Sequence, residues 1–377
     1  MKTYSGILAA LFTTLVILGC GGGDKGDEIL IGEFGSLTGT TATFGQSTHH
    51  GLELAVEETN NAGGVLGKKI RLLVEDDQSK PEEAATAVTK LITRDNVKAI
   101  IGEVASSRSL AAAPICQQFK IPMVSPASTN PEVTKKGDFI FRVCYIDPFQ
   151  GEMLARFMYN SLGFKKAVIL KDVKNDYSVG LAQYFRQTFE SLGGTVVAEQ
   201  AYSEGDSDFK AQLTALKAAE PEAMFVPGYY IEGALIVKQA RELNMTMPIV
   251  GGDGWDSSKL LEVGGQAMNN TYFSTHYSTD DTAAAVRSFV TKYSARFNER
   301  PDAMAALGYD AGLILFDAIR RAGNTDGTAI RDALAATSDF TGVTGSITID
   351  ERRNARKPLV ILTVENASLK YKESIQP

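Results

Sequence analysis

From Glu28 to Val250 the chain alternates short apolar or β-branched runs with longer runs of helical periodicity. Runs at 28–34, 69–75, 97–101, 121–124 and 139–143 read as strands, and those at 46–61, 81–92 and 106–119 as helices. The period of the apolar positions separates the two types. Leu52, Ala55, Val56 and Thr59 share one helical face, as do Ala84, Ala85, Val88, Leu91 and Ile92. Gly63-Gly64 stops the first helix and Pro81 opens the second. The alternation then restarts, with strands at 167–170, 195–201, 223–226 and 248–250 and helices at 149–162, 179–192, 208–219 and 232–243. Strands that alternate with helices make an α/β fold, a mostly parallel sheet flanked by helices. One sheet of this many strands would be unusually large, so the pattern predicts two lobes. A strand at 272–275, helices at 282–297 and 304–322, and strands at 347–349 and 359–364 complete the chain.

Composition narrows the function. The 377 residues are 44% hydrophobic, ample for a packed core, and the formal net charge is −7. An acidic chain without basic clusters argues against nucleic acid. Residues 1–19 read as a signal peptide, with Lys2 as the basic residue and an apolar run at 7–19. That run falls short of the ~20 residues that span a bilayer and fits a signal h-region. It ends Ile17-Leu18-Gly19-Cys20, followed by Gly21-Gly22-Gly23. This resembles the bacterial lipobox, with Ile17 where Leu is usual and a glycine-rich tether over 20–27. The expectation is lipidation at Cys20. The protein would then sit in the periplasm or at the cell surface, held to a bacterial membrane by its N-terminal lipid only. Cys116 and Cys144 stand in apolar surroundings and read as two buried thiols; one disulfide is the alternative that an oxidising compartment allows.

The stretch from Ile100 to Thr129 carries the densest signal. Ser106 to Ser109 follow one strand and cap a helix, and Ser125 to Thr129 form a second hydroxyl-rich loop after the next strand. Consecutive parallel strands place both loops at the carboxyl end of one sheet, where α/β folds bind ligands. Hydroxyls beside the free N–H groups of a helix N-terminus suit a small anion such as a carboxylate. Taken singly, such residues also serve as plain helix caps. Other strand-end loops offer Phe44, Tyr177, the pair Tyr229-Tyr230, and Asp253 within Gly251-Gly252-Asp253-Gly254-Trp255. Asp253 alone is most simply a helix-capping or turn residue between glycines. HExxH, CxxC, GxSxG and the phosphate loop GxxxxGK[ST] are absent, and no GxGxxG follows a strand to open a helix. The sequence therefore predicts no catalytic residues, no metal and no cofactor.

Several segments together resemble the bacterial leucine/isoleucine/valine-binding proteins, the periplasmic receptors of branched-chain amino acid ABC transporters. They are Gly35-Ser36-Leu37-Thr38-Gly39 with Phe44-Gly45, Val74-Glu75-Asp76-Asp77, Ile101-Gly102 with Ser106-Ser107, Pro126-Ala127-Ser128-Thr129, Asp176-Tyr177-Ser178-Val179-Gly180, Gly228-Tyr229 and Gly252-Asp253-Gly254. The likeness is collinear over roughly 28–364.

The resemblance implies a two-lobed, type I periplasmic-binding-protein fold with a three-segment hinge. Lobe 1 would comprise 28–146 plus 277–351, and lobe 2 would comprise 147–276 plus 352–377. It implies that Ser106 and Thr129 hold an α-carboxylate through hydroxyl and backbone N–H. The Ala127 carbonyl, the Thr129 hydroxyl and Asp253 would take the α-ammonium. Phe44, Val104, Ala105, Tyr177, Tyr229 and Gly254 would line the side-chain space, and Ser128 completes the binding set. Asp253 stands where Glu is familiar, and Phe44 where Tyr is frequent. The function so implied is that of a monomeric solute receptor, not an enzyme. It would pass an apolar amino acid to the permease of an ABC transporter. The rivals are a sensing module for amides or other small metabolites, and a secreted α/β enzyme.

Overall fold

The computed structural model describes Met1, Lys2 and residues 28–377. Residues 3–27, and with them most of the expected signal peptide, the tether and Cys20, lie outside the described residues.

The first sheet is wholly parallel. Its strands are β1 (Glu28–Gly35), β2 (Lys69–Asp76), β3 (Ala99–Ile101), β4 (Met123–Ser125) and β5 (Ile140–Arg142), in the order β2-β1-β3-β4-β5. Between them run α1 (Ala42–Asn61), α2 (Pro81–Thr93) and α3 (Ser106–Phe119). Order reverses beside β1, whose neighbours are β2 and β3, so the loops after β1 and β3 diverge around a crevice at the carboxyl edge. Gly102, at the end of β3, has φ +138°, and a Cβ there would fall 2.1 Å from the carbonyl oxygen of Phe34. Only glycine lets the β3 loop leave so close to β1.

The chain then crosses and builds α4 (Asp147–Arg156), β6 (Lys166–Asp172), α5 (Asp176–Ser191), β7 (Thr195–Tyr202), α6 (Lys210–Lys217), β8 (Ala223–Val226), α7 (Tyr230–Glu242), β9 (Ile249–Gly251), α8 (Ser258–Gly264) and β10 (Thr271–Thr275). A second crossing leads to α9 (Ala284–Phe297), α10 (Ala303–Ala322) and α11 (Gly327–Ala335). Of these, α10 packs along α1, over the first sheet. A three-stranded patch follows from β11 (Phe340–Gly342), β12 (Gly345–Ile349) and β13 (Ala355–Arg356). Finally β14 (Leu359–Glu365) and β15 (Ser368–Ile375) join the second sheet, whose order is β15-β14-β10-β9-β8-β6-β7. β14 and β15 are antiparallel to their neighbours and the rest of that sheet is parallel.

Burial drives this arrangement. β8 is buried along its whole length, as its unbroken Ala223-Met224-Phe225-Val226 run requires of a central strand. Each apolar side chain so buried contributes about 1.5–3 kcal/mol. Cys116 and Cys144 are both buried free thiols, so the alternative of a disulfide is set aside. The structure adds elements that the sequence reading left out, namely α8, α11, β11, β13 and β15. It also ends the helix expected over 149–162 earlier, with a π-turn at Phe157–Ser161.

Candidate functional site

Residues from both sheets meet at a small cavity. Its lining is Phe44, Val104, Ser106, Ala127, Thr129, Tyr177, Tyr229, Asp253, Gly254 and Met304.

On the first-sheet side, Ser106 begins α3, whose first-turn N–H groups have no acceptor within the helix. Its hydroxyl accepts the Asn130 N–H at 3.2 Å. The segment Ser128-Thr129-Asn130 is tied down at every carbonyl. The Arg142 guanidinium donates to Ser128 O and, at 2.8 Å, to Asn130 O, and the Asp147 N–H donates to Thr129 O at 3.0 Å. What the segment leaves free is the Thr129 hydroxyl, which is buried and has no partner in the protein. Burying a hydroxyl unpaired costs about 1–3 kcal/mol, and this one borders the cavity with capacity for a further hydrogen bond.

On the second-sheet side, Asp253 opens a single turn, Asp253–Trp255, directly after β9. Its backbone N–H donates to Gln150 Oε1 at 2.9 Å. Its carboxyl accepts Tyr177 Oη–H at 2.8 Å, and His276 Nε2 lies 3.0 Å from its other oxygen. Burial pushes the His276 imidazole down to about 4, so at neutral pH it is uncharged and offers Nε2–H as a donor. Burial likewise holds the Tyr177 phenol well above its ordinary value, leaving it protonated and a donor. Asp253 is thus oriented by two neutral donors, with no Lys or Arg paired to it.

The remaining walls are aromatic. Tyr177 and Tyr229 stack at 5.5 Å, and Phe44 meets Tyr229 edge-on at 5.4 Å. Gly254 makes this packing possible, because a Cβ there would lie 2.7 Å from Gly228 O and 2.9 Å from the Tyr229 ring. Contacts also cross the cleft around the cavity. The Thr43 and Ser257 hydroxyls are 3.1 Å apart, the Asp176 N–H donates to Ser107 Oγ at 3.2 Å, and Asn130 Nδ2 donates to Asp176 O at 3.0 Å.

The structure brings nine of the eleven sequence-derived site residues to the cavity and leaves Ala105 and Ser128 outside its lining. Ser128 Oγ turns back to Glu103 O at 2.9 Å and Ser109 Oγ at 2.7 Å, where it pins two loops together. Ala105 precedes α3 and accepts the Arg108 and Ser109 N–H groups with its carbonyl. Trp255, beside the site in sequence, packs away from it against Gly233 and Gly251. Sequence reasoning missed Met304, which arrives from the first turn of α10, and the supporting residues Asp147, Gln150 and His276. Only Asp147 carried a signal, as the residue before Pro148 at a helix start. Among the described residues no group of three His, Cys, Asp or Glu is placed to hold a metal ion.

The family model described as periplasmic binding protein matches residues 28–368. The Leu/Ile/Val-binding protein BraC3 of Rhizobium johnstonii is 30% identical over 86% of this chain and 88% of its own. The crystal structure of a leucine binding protein, LivK, from Thermotoga maritima is 42% identical and superposes with a TM-score of 0.89. It covers 93% of this chain and 99% of its own. The branched-chain amino acid substrate binding protein LivJ of Streptococcus pneumoniae, in complex with isoleucine, is 35% identical with a TM-score of 0.88, over 93% and 100%.

Proposed function

The chain belongs to the periplasmic binding protein family, and on that premise we propose that it captures an apolar, branched-chain-type amino acid between two lobes and delivers it to an ABC transporter permease. Its fold is the type I periplasmic-binding-protein fold, and it is a binding protein rather than an enzyme. One observation carries the choice of ligand: the two walls of the cavity have opposite polarity. The free N–H groups at the N-terminus of α3 and the Asp253 carboxyl border one space, otherwise lined by Phe44, Val104, Tyr177, Tyr229 and Met304. An amino acid zwitterion with an apolar side chain supplies the complement to each part. Ser106 and the Thr129 N–H would take its carboxylate, and Asp253 with the Ala127 carbonyl and the Thr129 hydroxyl its ammonium. The relatives named as leucine-, isoleucine- and valine-binding support this reading.

The lobes, 28–146 with 277–351 and 147–276 with 352–377, would close about crossings near 145–148, 275–277 and 352–358. A thermal-shift screen of the twenty amino acids with small amides tests the assignment. Leucine, isoleucine or valine at about 100 times its Kd should stabilise the protein by roughly 2.7 kcal/mol. The same ligand should contract the molecule in small-angle scattering. A shift confined to amides or charged amino acids would refute the assignment. We also propose that Cys20 is lipidated, on its place in Ile17-Leu18-Gly19-Cys20. Cys20→Ser should then move the protein to the soluble fraction or leave an unprocessed precursor, and unchanged membrane association would reject the anchor.

A further inference from the structure

We propose that Asp147 is a positioning residue of the ligand site that exchanges a proton with solvent. In the ligand-free protein its carboxyl is protonated, and an ammonium group arriving at Thr129 and Asp253 expels that proton. The proposal rests on the amino-acid reading above.

The geometry begins with Asp147 at the start of α4, where the chain crosses between the sheets; the residue is fully buried. Its N–H holds the Thr129 carbonyl and one carboxyl oxygen accepts Gln150 Nε2 at 3.3 Å. The other oxygen, Oδ2, and the Thr129 hydroxyl have no well-formed hydrogen bond among the described residues; they lie beside one another, close enough for the hydroxyl to stabilise the ionised carboxyl. Helix α5 presents Gly180 here, whose Cβ, were there one, would stand 3.9 Å from Oδ2. Asp147 is absent from the cavity lining and Thr129 is part of it, so Thr129 stands between the carboxyl and the ligand space.

The charges around Asp147 compensate it only in part, the Arg142 attraction being smaller than the cost of burial. The cation nearby is Arg142 on β5, and both of its terminal nitrogens are spent on the carbonyls of Ser128 and Asn130. From the β9 loop comes Asp253, a second carboxyl. Tyr177 on α5 and Cys144 after β5 are neutral, the thiol pushed up to about 12 by burial. Burial first, with the Asp253 charge adding to it, pushes the Asp147 carboxyl up to about 8. An opposite charge within about 4–6 Å lowers a carboxyl pKa by roughly 1–3 units, and an ammonium held by Asp253 and Thr129 is such a charge.

The proton also sets what Thr129 can do. A hydroxyl carries one hydrogen. A protonated Asp147 donates to Thr129 Oγ1 and turns the threonine hydrogen toward the cavity, the wrong polarity for an ammonium. An ionised Asp147 accepts that hydrogen and turns the oxygen lone pairs inward, the right polarity. Ligand capture therefore goes with R–NH3⁺ entering, the Asp147 O–H bond breaking and H⁺ leaving to solvent. Binding that releases a proton tightens as pH rises, by up to about tenfold per unit between the ligand-bound and the ligand-free pKa.

The test is calorimetric titration of L-leucine into the wild-type protein at pH 6.5, in two buffers of different ionisation enthalpy, and again across pH 6–7.5. Expected are release of about 0.2 to 0.9 proton per leucine, for a shift of 1 to 3 units, and a Kd that falls with rising pH, approaching tenfold per unit only for the larger shift. Asp147→Asn should bind leucine more weakly at pH 7.5, release no proton and show a flat profile. Leucine binding to wild type without proton exchange overturns the proposal while leaving the amino-acid reading intact, and needs no variant to fold. Proton release that persists in Asp147→Asn overturns it too. Absence of heat with leucine and every other amino acid overturns both.

Discussion

Two buried acidic clusters in this protein are built in opposite ways. Asp310, inside α10, accepts the Val343 N–H at 2.8 Å, the Thr344 N–H at 2.9 Å and the Thr344 hydroxyl at 2.6 Å. Lys357, equally buried, donates to the same Thr344 hydroxyl and supplies the cation. Burial opposes both charges, raising the Asp310 carboxyl and lowering Lys357 to about 8, while their mutual attraction opposes each shift. That cluster is closed: its donors and its counter-ion come from the chain. Asp253 and Asp147 are as deeply buried, yet the donors around them are neutral and the neighbouring Arg142 is already committed to carbonyls. On the proposed reading, the counter-ion missing from this cluster is the ammonium of the ligand. The cleft is therefore recognisable by what it lacks relative to the Asp310 cluster.

The largest expected effect breaks the open cluster. Removing one partner of a buried ion pair costs about 3–5 kcal/mol, which is two to three and a half decades of affinity at ~1.4 kcal/mol per decade. Asp253→Asn keeps the shape, and its amide can still accept from Tyr177 or His276. It should lose that much affinity for a branched-chain amino acid in calorimetric titration, with an unfolding midpoint close to wild type. Near-wild-type affinity in the folded variant would return Asp253 to the role of a turn residue.

The closed cluster should answer the same operation differently. Lys357→Met leaves the Asp310 carboxyl without its cation but with its three donors, so the loss falls at the lower end, about 3 kcal/mol. It should appear as lost stability in urea unfolding, with affinity for the ligand changed far less than by Asp253→Asn. If Lys357→Met instead abolished binding and spared stability, the contrast between the clusters would collapse.

The same contrast explains what could be read from the chain. The strands, and the hydroxyls at their carboxyl ends, were legible because the apolar run before each loop fixes where the loop must lie. Ser106 and Thr129 follow from β3 and β4 in this way. β15 was not, because Ser368–Ile375 is largely exposed and edges the sheet with Lys370, Tyr371, Lys372 and Glu373, offering no buried face to leave a pattern. Met304 was not, because its side chain reaches the cavity only through the docking of α10 on α1. The pairing of His276 with Asp253 joins residues 23 apart through the crossing after β10, and no spacing rule encodes it. Ser128 shows the converse: it sits between Ala127 and Thr129, but its hydroxyl turns away, and sequence adjacency does not fix the direction of a side chain.

The smallest expected effect concerns an ion pair that belongs to neither cluster. Glu204, after β7, meets Arg108 of α3 across the cleft at 3.4 Å, and it also accepts the Thr40 hydroxyl. Arg108 does not depend on this contact, since it donates to Thr41 Oγ1 at 3.0 Å and to Ser79 O at 2.8 Å on its own side. Parting the lobes therefore strands no charge there, and Glu204 is about 30% exposed, so solvent screens the pair. Such pairs contribute about 0.2–1 kcal/mol. Glu204→Gln preserves both hydrogen bonds and removes the charge, so it should weaken ligand binding by less than about fivefold. The change should appear as faster dissociation, because the pair forms only when the lobes meet. Raising the salt from about 0.15 to 0.5 M should shrink the difference from wild type as the screening length falls. A loss of tenfold or more that is indifferent to salt would instead make Glu204 part of the ligand's own electrostatics, alongside Asp253.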